Sequence, residues 1–251
     1  MSKKNCLIVG GSKGIGKSLV DLLVSEGNSV SVISREVPKN KVRGHVTYYS
    51  ADLLNETSLR KTLERIVKTN GKLDQLAFFQ RYRGTGDDWS GEIETSLGGT
   101  KFVIDYLTPH FSRNASIVLV SSVNSSLISD HLPLGYHVAK AGLVHIARYY
   151  ASKLGPKGIR VNSISPGTIL KDESKNFLVK DQNLKNFYQH VAPLGRMGTP
   201  LEVAEAAAFL LGQKSSFITG QNIAVDGGIS IQWQETISAK LNGSKVRGLK
   251  H

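Results

Sequence analysis

Tyr136-His-Val-Ala-Lys140 sets a phenol and an ammonium four residues apart. On a helix, positions i and i+4 share a face, so the two groups would sit side by side. A neighbouring cation favours the phenolate. That suits the phenol to proton transfer near neutral pH, where a general acid or base works best. A lone string of this kind also arises by chance on many surface helices. A second feature is the run Gly10-Gly-Ser-Lys-Gly-Ile-Gly16, which follows the apolar stretch Cys6-Leu-Ile-Val9. Glycines permit a tight turn and let backbone approach a pyrophosphate, while the next helix offers free N–H groups and partial positive charge. The spacing is G-x-x-x-G-x-G rather than the commoner G-x-G-x-x-G, so its strand–turn–helix setting carries the reading. Three more strings follow in order. Ser121-Ser122 stands fourteen residues before Tyr136, counted from Ser122, and is followed by Asn162-Ser-Ile-Ser-Pro-Gly167 and Gly220-Gln-Asn-Ile-Ala-Val-Asp-Gly-Gly228.

Positioning these residues requires a sheet. Short β-rich runs predict strands over residues 7–9, 30–33, 46–49, 73–79, 117–120, 161–164 and 222–225. Between them, helices are predicted over 17–26, 58–69, 98–111, 139–154 and 201–211, with Pro109 ending the third early. Alternation of this kind implies parallel strands joined by right-handed crossovers. The expected fold is α/β, one doubly wound, Rossmann-like parallel sheet in a single domain over residues 1–230. Ligands of such sheets lie at the carboxyl ends of the strands. The glycine turn, Ser122 and Pro166-Gly167 all fall there. Residues 168–198 break the alternation and are rich in Lys and aromatics. They are expected to hold one or two short helices as a substrate lid; a plain surface insertion is the alternative. Phe177, Phe187 and Tyr188 either touch substrate or form the apolar side of a helix.

The 251-residue chain carries a formal net charge of +12, with a sequence pI near 9.7. A nucleic-acid partner has to be weighed. The basic residues are spread along the chain, however, and only residues 238–251 form a block of one sign. Residues 231–251 are read as a basic, solvated C-terminal extension. A substrate or cofactor carrying several negative charges would also suit a basic protein, and a nucleic-acid partner is not the one expected. Cys6 is the single cysteine and reads as a buried strand residue. The N-terminus shows no signal core, and no run reaches the apolar length of a membrane helix. A cytoplasmic protein with no membrane partner is expected. His137 and His145 lack ligand partners at metal spacing, so no metal site is expected.

Taken in order, the strings resemble the short-chain dehydrogenase/reductase family, and within it the 3-oxoacyl-[acyl-carrier-protein] reductase-like branch. The resemblance covers roughly nine-tenths of the chain. It implies an NAD(P)-dependent enzyme in which Tyr136 gives a proton to a substrate carbonyl oxygen, or takes one from an alcohol. Ser122 would hydrogen-bond that oxygen. Lys140 would activate Tyr136 and, with it, hold the nicotinamide ribose. Pro166, Gly167 and Ile169 would line the nicotinamide; Asp52 and Leu53 would meet the adenine. Gly10, Ser12, Lys13, Gly14, Ile15 and Gly16 would hold the pyrophosphate. An acid at the end of the second strand would favour NAD. Here Ser34 and Arg35 stand there, and with Lys13 they suit the 2′-phosphate of NADP. Glu36 follows directly, and Arg35 as a plain surface charge is the alternative. The expected activity is NADPH-dependent reduction of a carbonyl to a secondary alcohol. Oxidation of a hydroxyl on a sugar or other polar metabolite is the alternative, and a non-catalytic dinucleotide-sensing or nucleic-acid-binding protein on the same fold is the rival of another class. The family also implies a homo-oligomer, a dimer or homotetramer.

Two departures stand out. Where the family has Asn-Asn-Ala-Gly after the fourth strand, this chain has Phe78-Phe79-Gln80-Arg81. Gln80 then meets the cofactor edge with a long side chain. Gln80, Arg81 and Arg83 would either block the cofactor or turn into the cleft and bind something anionic. The second outcome is expected, because an Arg fork suits carboxylate or phosphate. Where the family has an Asn that completes a catalytic tetrad, this chain has Ser96. That role rests on a main-chain carbonyl, which Ser keeps.

Overall fold

The computed structural model describes residues 3–38, 44–170 and 182–242. Seven strands run parallel in one sheet: β1 Asn5–Val9, β2 Ser29–Ser34, β3 Val46–Ser50, β4 Leu73–Phe78, β5 Phe111–Val120, β6 Arg160–Pro166 and β7 Asn222–Val225. Their order across the sheet is β3-β2-β1-β4-β5-β6-β7. The helices are α1 Gly14–Ser25, α2 Glu56–Asn70, α3 Asp88–Glu92, α4 Gly99–Leu107, α5 Leu134–Leu154, α6 Gln182–Val191, α7 Pro200–Leu211 and α8 Gln234–Asn242. A π-helical stretch, Ile93–Gly98, joins α3 to α4.

The sheet separates two cores, and side-chain alternation fills both. Leu7, Val9, Leu76 and Phe78 face α2, α4 and α5, with Leu63, Ile104 and Leu143 among the residues they meet. Cys6, Ile8, Val30 and Ala77 face α1 and α7, against Leu19, Leu23 and Val203. Strands covered on both faces are therefore apolar at every position, as in the run Cys6-Leu-Ile-Val9. This explains half of the altered string after β4. Phe78 joins the first core and Phe79 packs on the second.

The expected doubly wound sheet is present, with all seven strands near their predicted places. Several helices differ. The predicted helix over 98–111 is the end of a longer rod that starts at Asp88, capped by Asp87, whose carboxylate accepts from Trp89 N and Ser90 N. The helix predicted from residue 139 begins at Leu134, straight after Pro133, so Tyr136 and Lys140 share one helix. In the basic extension, Gln234–Asn242 is helical, and the Gln232 amide just before it donates to the Val191 carbonyl at the end of α6. Phe177 and the tail residues Lys245, Arg247 and Lys250 lie outside the described residues. Within the expected lid, α6 carries Phe187 and Tyr188, and the Tyr188 hydroxyl is 2.6 Å from Thr168 Oγ1.

The end of the segment expected to be a lid is fastened to the strand-end side of the chain. Leu170 N donates to Gly198 O at 2.8 Å and Gly198 N to Thr168 O at 3.1 Å. Thr199 then caps α7 in a capping box with Glu202. Arg196 grips both oxygens of Glu202, at 3.0 and 2.5 Å. The Arg196 fork, followed by the Thr199 backbone N–H, lowers the Glu202 carboxyl from 4.5 to about 2. A carboxyl depressed in the fold lends stability above its unfolded value and loses it as pH falls through the folded one. Glu202→Gln should therefore lower the thermal midpoint near neutral pH by roughly 1–3 °C, the scale of an exposed ion pair in a chain this size. The gap to the parent should close as the solution is acidified from 4.5 toward about 2. Thermal melts of both proteins across that range check this; a gap that ignores pH would assign the effect to the cap alone.

Candidate active site

The turn after β1 is built on backbone that only glycine allows. Gly10 has φ +81° and runs against the end of β4, where a Cβ would stand 2.7 Å from Gln80 N. A Cβ on Gly16 would collide with the Gly10 carbonyl oxygen. Helix α1 starts inside this turn, at Gly14, and its N-cap residue Lys13 supplies no side-chain hydrogen bond. The first N–H groups of a helix have no intrahelical acceptor, so they face whatever lies ahead of the turn.

Ser122 ends the run from β5 in extended backbone and opens the 3-10 turn Val123–Ser125. Its hydroxyl accepts from Asn124 N at 3.2 Å and donates to Asn124 Oδ1 at 3.2 Å. In the first turn of α5, Gly135 lies flush on α3, where a Cβ would be 2.8 Å from Asp88 O and Trp89 Cα. Tyr136 follows. Lys140 is 4% exposed. Its ammonium donates to Val120 O at 3.0 Å and lies 5.5 Å from the Tyr136 ring centre. The Ser121 hydroxyl donates to the Lys140 carbonyl at 2.7 Å. His137 is buried; its Nε2 accepts from Ser129 N at 3.0 Å, and its Nδ1 lies 3.0 Å from Pro133 O. It thereby holds the loop between β5 and α5. His145 is exposed on α5.

A cavity of about 320 Å³ opens at the carboxyl ends of β1, β4, β5 and β6. It gathers three groups of the predicted residues: Lys13, Gly14, Ile15 and Gly16; Ser122, Tyr136 and Lys140; and Pro166, Gly167 and Ile169. Gln80, Arg81 and Arg83 line it as well. The remaining predicted residues do not. Gly10 and Ser12 lie in the same turn as Lys13 and Gly14. Ser34 ends β2 and Arg35 follows it; the Ser34 hydroxyl donates to Glu36 O at 2.7 Å, and Arg35 is exposed. Asp52 accepts from Leu54 N at 3.0 Å, and Leu53 packs on Gly99. Ser96 is fully buried in the π-helical stretch, with its hydroxyl on Glu92 Oε2 at 3.0 Å.

The altered turn is held by the α3–α4 rod. Gln80 donates from Nε2 to Thr100 Oγ1 at 2.8 Å. Its Oε1 is buried without a partner among the described residues. Arg81 Nε lies 3.6 Å from Glu92 Oε1, and its guanidinium carbon is 4.8 Å from the Tyr136 ring centre. Glu92 went unnoticed in the sequence. The signal available was Asp87 as a helix cap, which would have placed Glu92 and Ser96 on one face, four residues apart. Burial, helped by Asp74, raises the Cys6 thiol to about 12, which leaves it protonated and inert. Among the described residues, no group of three or more His, Cys, Asp or Glu is placed to hold a metal, and no helix is long and apolar enough to cross a membrane.

Known proteins share both sequence and architecture with this chain. The family model described as Enoyl-(Acyl carrier protein) reductase matches residues 9–230. The 3-oxoacyl-[acyl-carrier-protein] reductase FabG of Chlamydia muridarum is 32% identical, over 90% of this chain and 97% of that protein. FabG of Thermotoga maritima is also 32% identical, over 91% and 98%. Among solved structures, the ligand-free aldohexose dehydrogenase of Thermoplasma acidophilum superposes with a TM-score of 0.82 at 27% identity, over 92% of this chain and 96% of that one. A short-chain type dehydrogenase/reductase from Mycobacterium ulcerans gives 0.82 at 27%, over 92% of each chain. The chain belongs to the short-chain dehydrogenase/reductase family of NAD(P)-dependent oxidoreductases, with FabG-like members among its relatives.

Proposed function

We propose that this chain is an NADPH-dependent reductase that turns a carbonyl into a secondary alcohol, with Tyr136 as proton donor. One observation carries the reading: a single cavity is lined by both the helix-opening glycine turn and the Ser122, Tyr136 and Lys140 side chains. The residues fit a dinucleotide. Gly10 and Gly16 let the turn close tightly on itself and on the end of β4, and the uncapped start of α1 suits a pyrophosphate. The orphaned Gln80 Oε1 calls for a donor at the same edge, and a sugar hydroxyl is such a donor.

In this reading Gly10, Ser12, Lys13, Gly14, Ile15 and Gly16 cradle the pyrophosphate. Lys13, Ser34 and Arg35 meet the 2′-phosphate, and Asp52 and Leu53 border the adenine. Pro166, Gly167 and Ile169 support the nicotinamide, whose reduced ring, when bound, supplies the hydride. Lys140 and Tyr136 hold the adjoining ribose. Tyr136 passes its proton to the carbonyl oxygen, and the Lys140 ammonium steadies the negative charge left behind. The Ser122 hydroxyl turns from Asn124 to donate to the same oxygen as charge builds on it. Ser96 contributes by its main-chain carbonyl, since its hydroxyl is committed to Glu92. Likeness to FabG over nine-tenths of the chain supports the reductive direction. A homotetramer in the cytoplasm completes the proposal, on family grounds.

Tyr136→Phe should lower kcat by about 10²–10⁴, the usual span for a general acid. NADPH binding, followed by fluorescence titration, should stay close to the parent. Turnover within about tenfold of the parent would remove Tyr136 from the mechanism.

Cofactor choice has its own test. Replacing Lys13 and Arg35 together with Ala should raise the KM for NADPH by about tenfold or more, the scale of lost charge-assisted contacts, and change that for NADH far less. Steady-state kinetics with both cofactors decide it. A parent enzyme that works better with NADH would overturn the assignment.

A further inference from the structure

Among the described residues, Arg81 is a cation beside the phenol that the proposed chemistry leaves unused. It stands where related sequences have the glycine of Asn-Asn-Ala-Gly, and it lines the same cavity as Tyr136. Its guanidinium lies on the face of the Tyr136 ring, 4.8 Å from carbon to ring centre. Behind it stands Glu92, whose side chain is 3% exposed where that of Arg81 is 43% exposed. One Glu92 oxygen takes the Ser96 hydroxyl at 3.0 Å; the other faces Arg81 Nε at 3.6 Å. A buried carboxylate needs a partner, so Glu92 holds the base of the guanidinium in place. A guanidinium carries five N–H donors in a planar fork. Among the described residues, Glu92 and the Tyr136 ring are the only partners recorded for Arg81. Its two terminal nitrogens are therefore available at the cavity, next to the phenol.

We propose that Arg81 binds a carboxylate of the substrate, and that the substrate is a 2-oxo or 3-oxo acid. The inference rests on the reductase reading. A fork with free terminal N–H groups matches the two oxygens of a carboxylate, and stacking on an aromatic ring leaves those edge donors available. The guanidinium carbon is 4.8 Å from the Tyr136 ring centre, so a molecule that sets its carbonyl oxygen on the Tyr136 hydroxyl and its carboxylate on the Arg81 fork has to be short, which points to an acid next to the carbonyl carbon or one carbon further. The dinucleotide phosphates have other cations, Lys13 and Arg35. The reaction balances: the carbonyl carbon takes a hydride from the reduced dinucleotide, and its oxygen takes the Tyr136 proton. The carboxylate is untouched, and the products are a hydroxy acid and the oxidised dinucleotide. The sequence offered Arg81 and Arg83 on equal terms. The Glu92 anchor and the Tyr136 stack single out Arg81.

The test pairs each acid with its neutral twin: 2-oxobutanoate and 3-oxobutanoate against their methyl esters, with NADPH consumption as the readout. Arg81→Met alone would strand Glu92 as a buried charge and endanger the fold. Arg81→Met/Glu92→Gln removes both charges together, and Arg81→Lys keeps the charge without the fork. The parent should favour at least one acid over its ester in kcat/KM by about tenfold or more. In the double variant that ratio should fall to about one, with the change in the KM for the acid. Arg81→Lys should lie between. Esters used as well as acids by the parent, or a preference that survives in the double variant, would overturn the proposal and leave the reductase reading standing. Reduction of other neutral ketones but of neither acid would do the same. Absence of reduction of any carbonyl would remove the reductase reading, and the inference with it.

Discussion

Two hydrogen bonds running in opposite directions tie the end of β5 to the second turn of α5. The Ser121 hydroxyl donates to the Lys140 carbonyl, and the Lys140 ammonium donates to the Val120 carbonyl. Each is short, and both lie in the interior. Together they fix how far α5 is rotated and how closely it approaches the sheet. Tyr136, one turn earlier on the same face, then lines the same cavity as Ser122. An ammonium as buried as Lys140 costs several kcal/mol unless it finds partners. The Val120 carbonyl at the strand end is one, and the ring of Tyr136 lies within reach as another. A charge kept there by structure is also a charge placed beside the phenol proposed to transfer the proton.

The same logic explains how the chain tolerates long side chains where related sequences have small ones. Phe78 and Phe79 fill the two cores. Gln80 reaches Thr100, and Arg81 reaches Glu92. The Tyr82 ring packs against Gly91 and Gly84, where a Cβ would collide with it. Its hydroxyl accepts from Gly86 N at 3.0 Å. The rod from Asp88 to Leu107 can supply these partners because Gly135 lets it lie flush on α5, and because its middle is π-helical. Such stretches interrupt the regular ladder and recur at functional sites. The long side chains of the turn thus have their partners on the neighbouring helix.

Much of this was legible in the sequence, and the physical reason is periodicity. Strands buried on both faces write continuous apolar runs, so Cys6–Val9 and Val30–Ile33 announced themselves. The glycine turn, Ser122, Tyr136, Lys140 and Pro166-Gly167 fall at strand or helix ends, so their convergence followed from the fold. The start of the α3–α4 rod was less visible. Trp89, Ser90 and Gly91 carry no apolar stripe, and only the Asp87 cap marks it. Glu92 was hidden for that reason, and with it the anchor of Arg81. The α8 helix was hidden by charge: Lys240 and its neighbours read as solvated tail, while the fastening of Gln232 to Val191 is a long-range contact that no local pattern encodes. The proposed 2′-phosphate site is intermediate. Ser34 and Arg35 are placed at the end of β2 as the alternation required, yet the side-chain direction of an exposed Arg is not written in spacing.

The central claim is that one cleft holds a reduced dinucleotide and a carbonyl so that hydride passes between them while Tyr136 supplies the proton. Isotope transfer tests this directly. NADPH deuterated at both C4 positions is incubated with the parent enzyme and a substrate ketone, and the alcohol is recovered for mass spectrometry. The account predicts an alcohol carrying one deuterium on the former carbonyl carbon, formed in step with oxidised dinucleotide. An alcohol free of deuterium, or dinucleotide oxidised without alcohol, would contradict it.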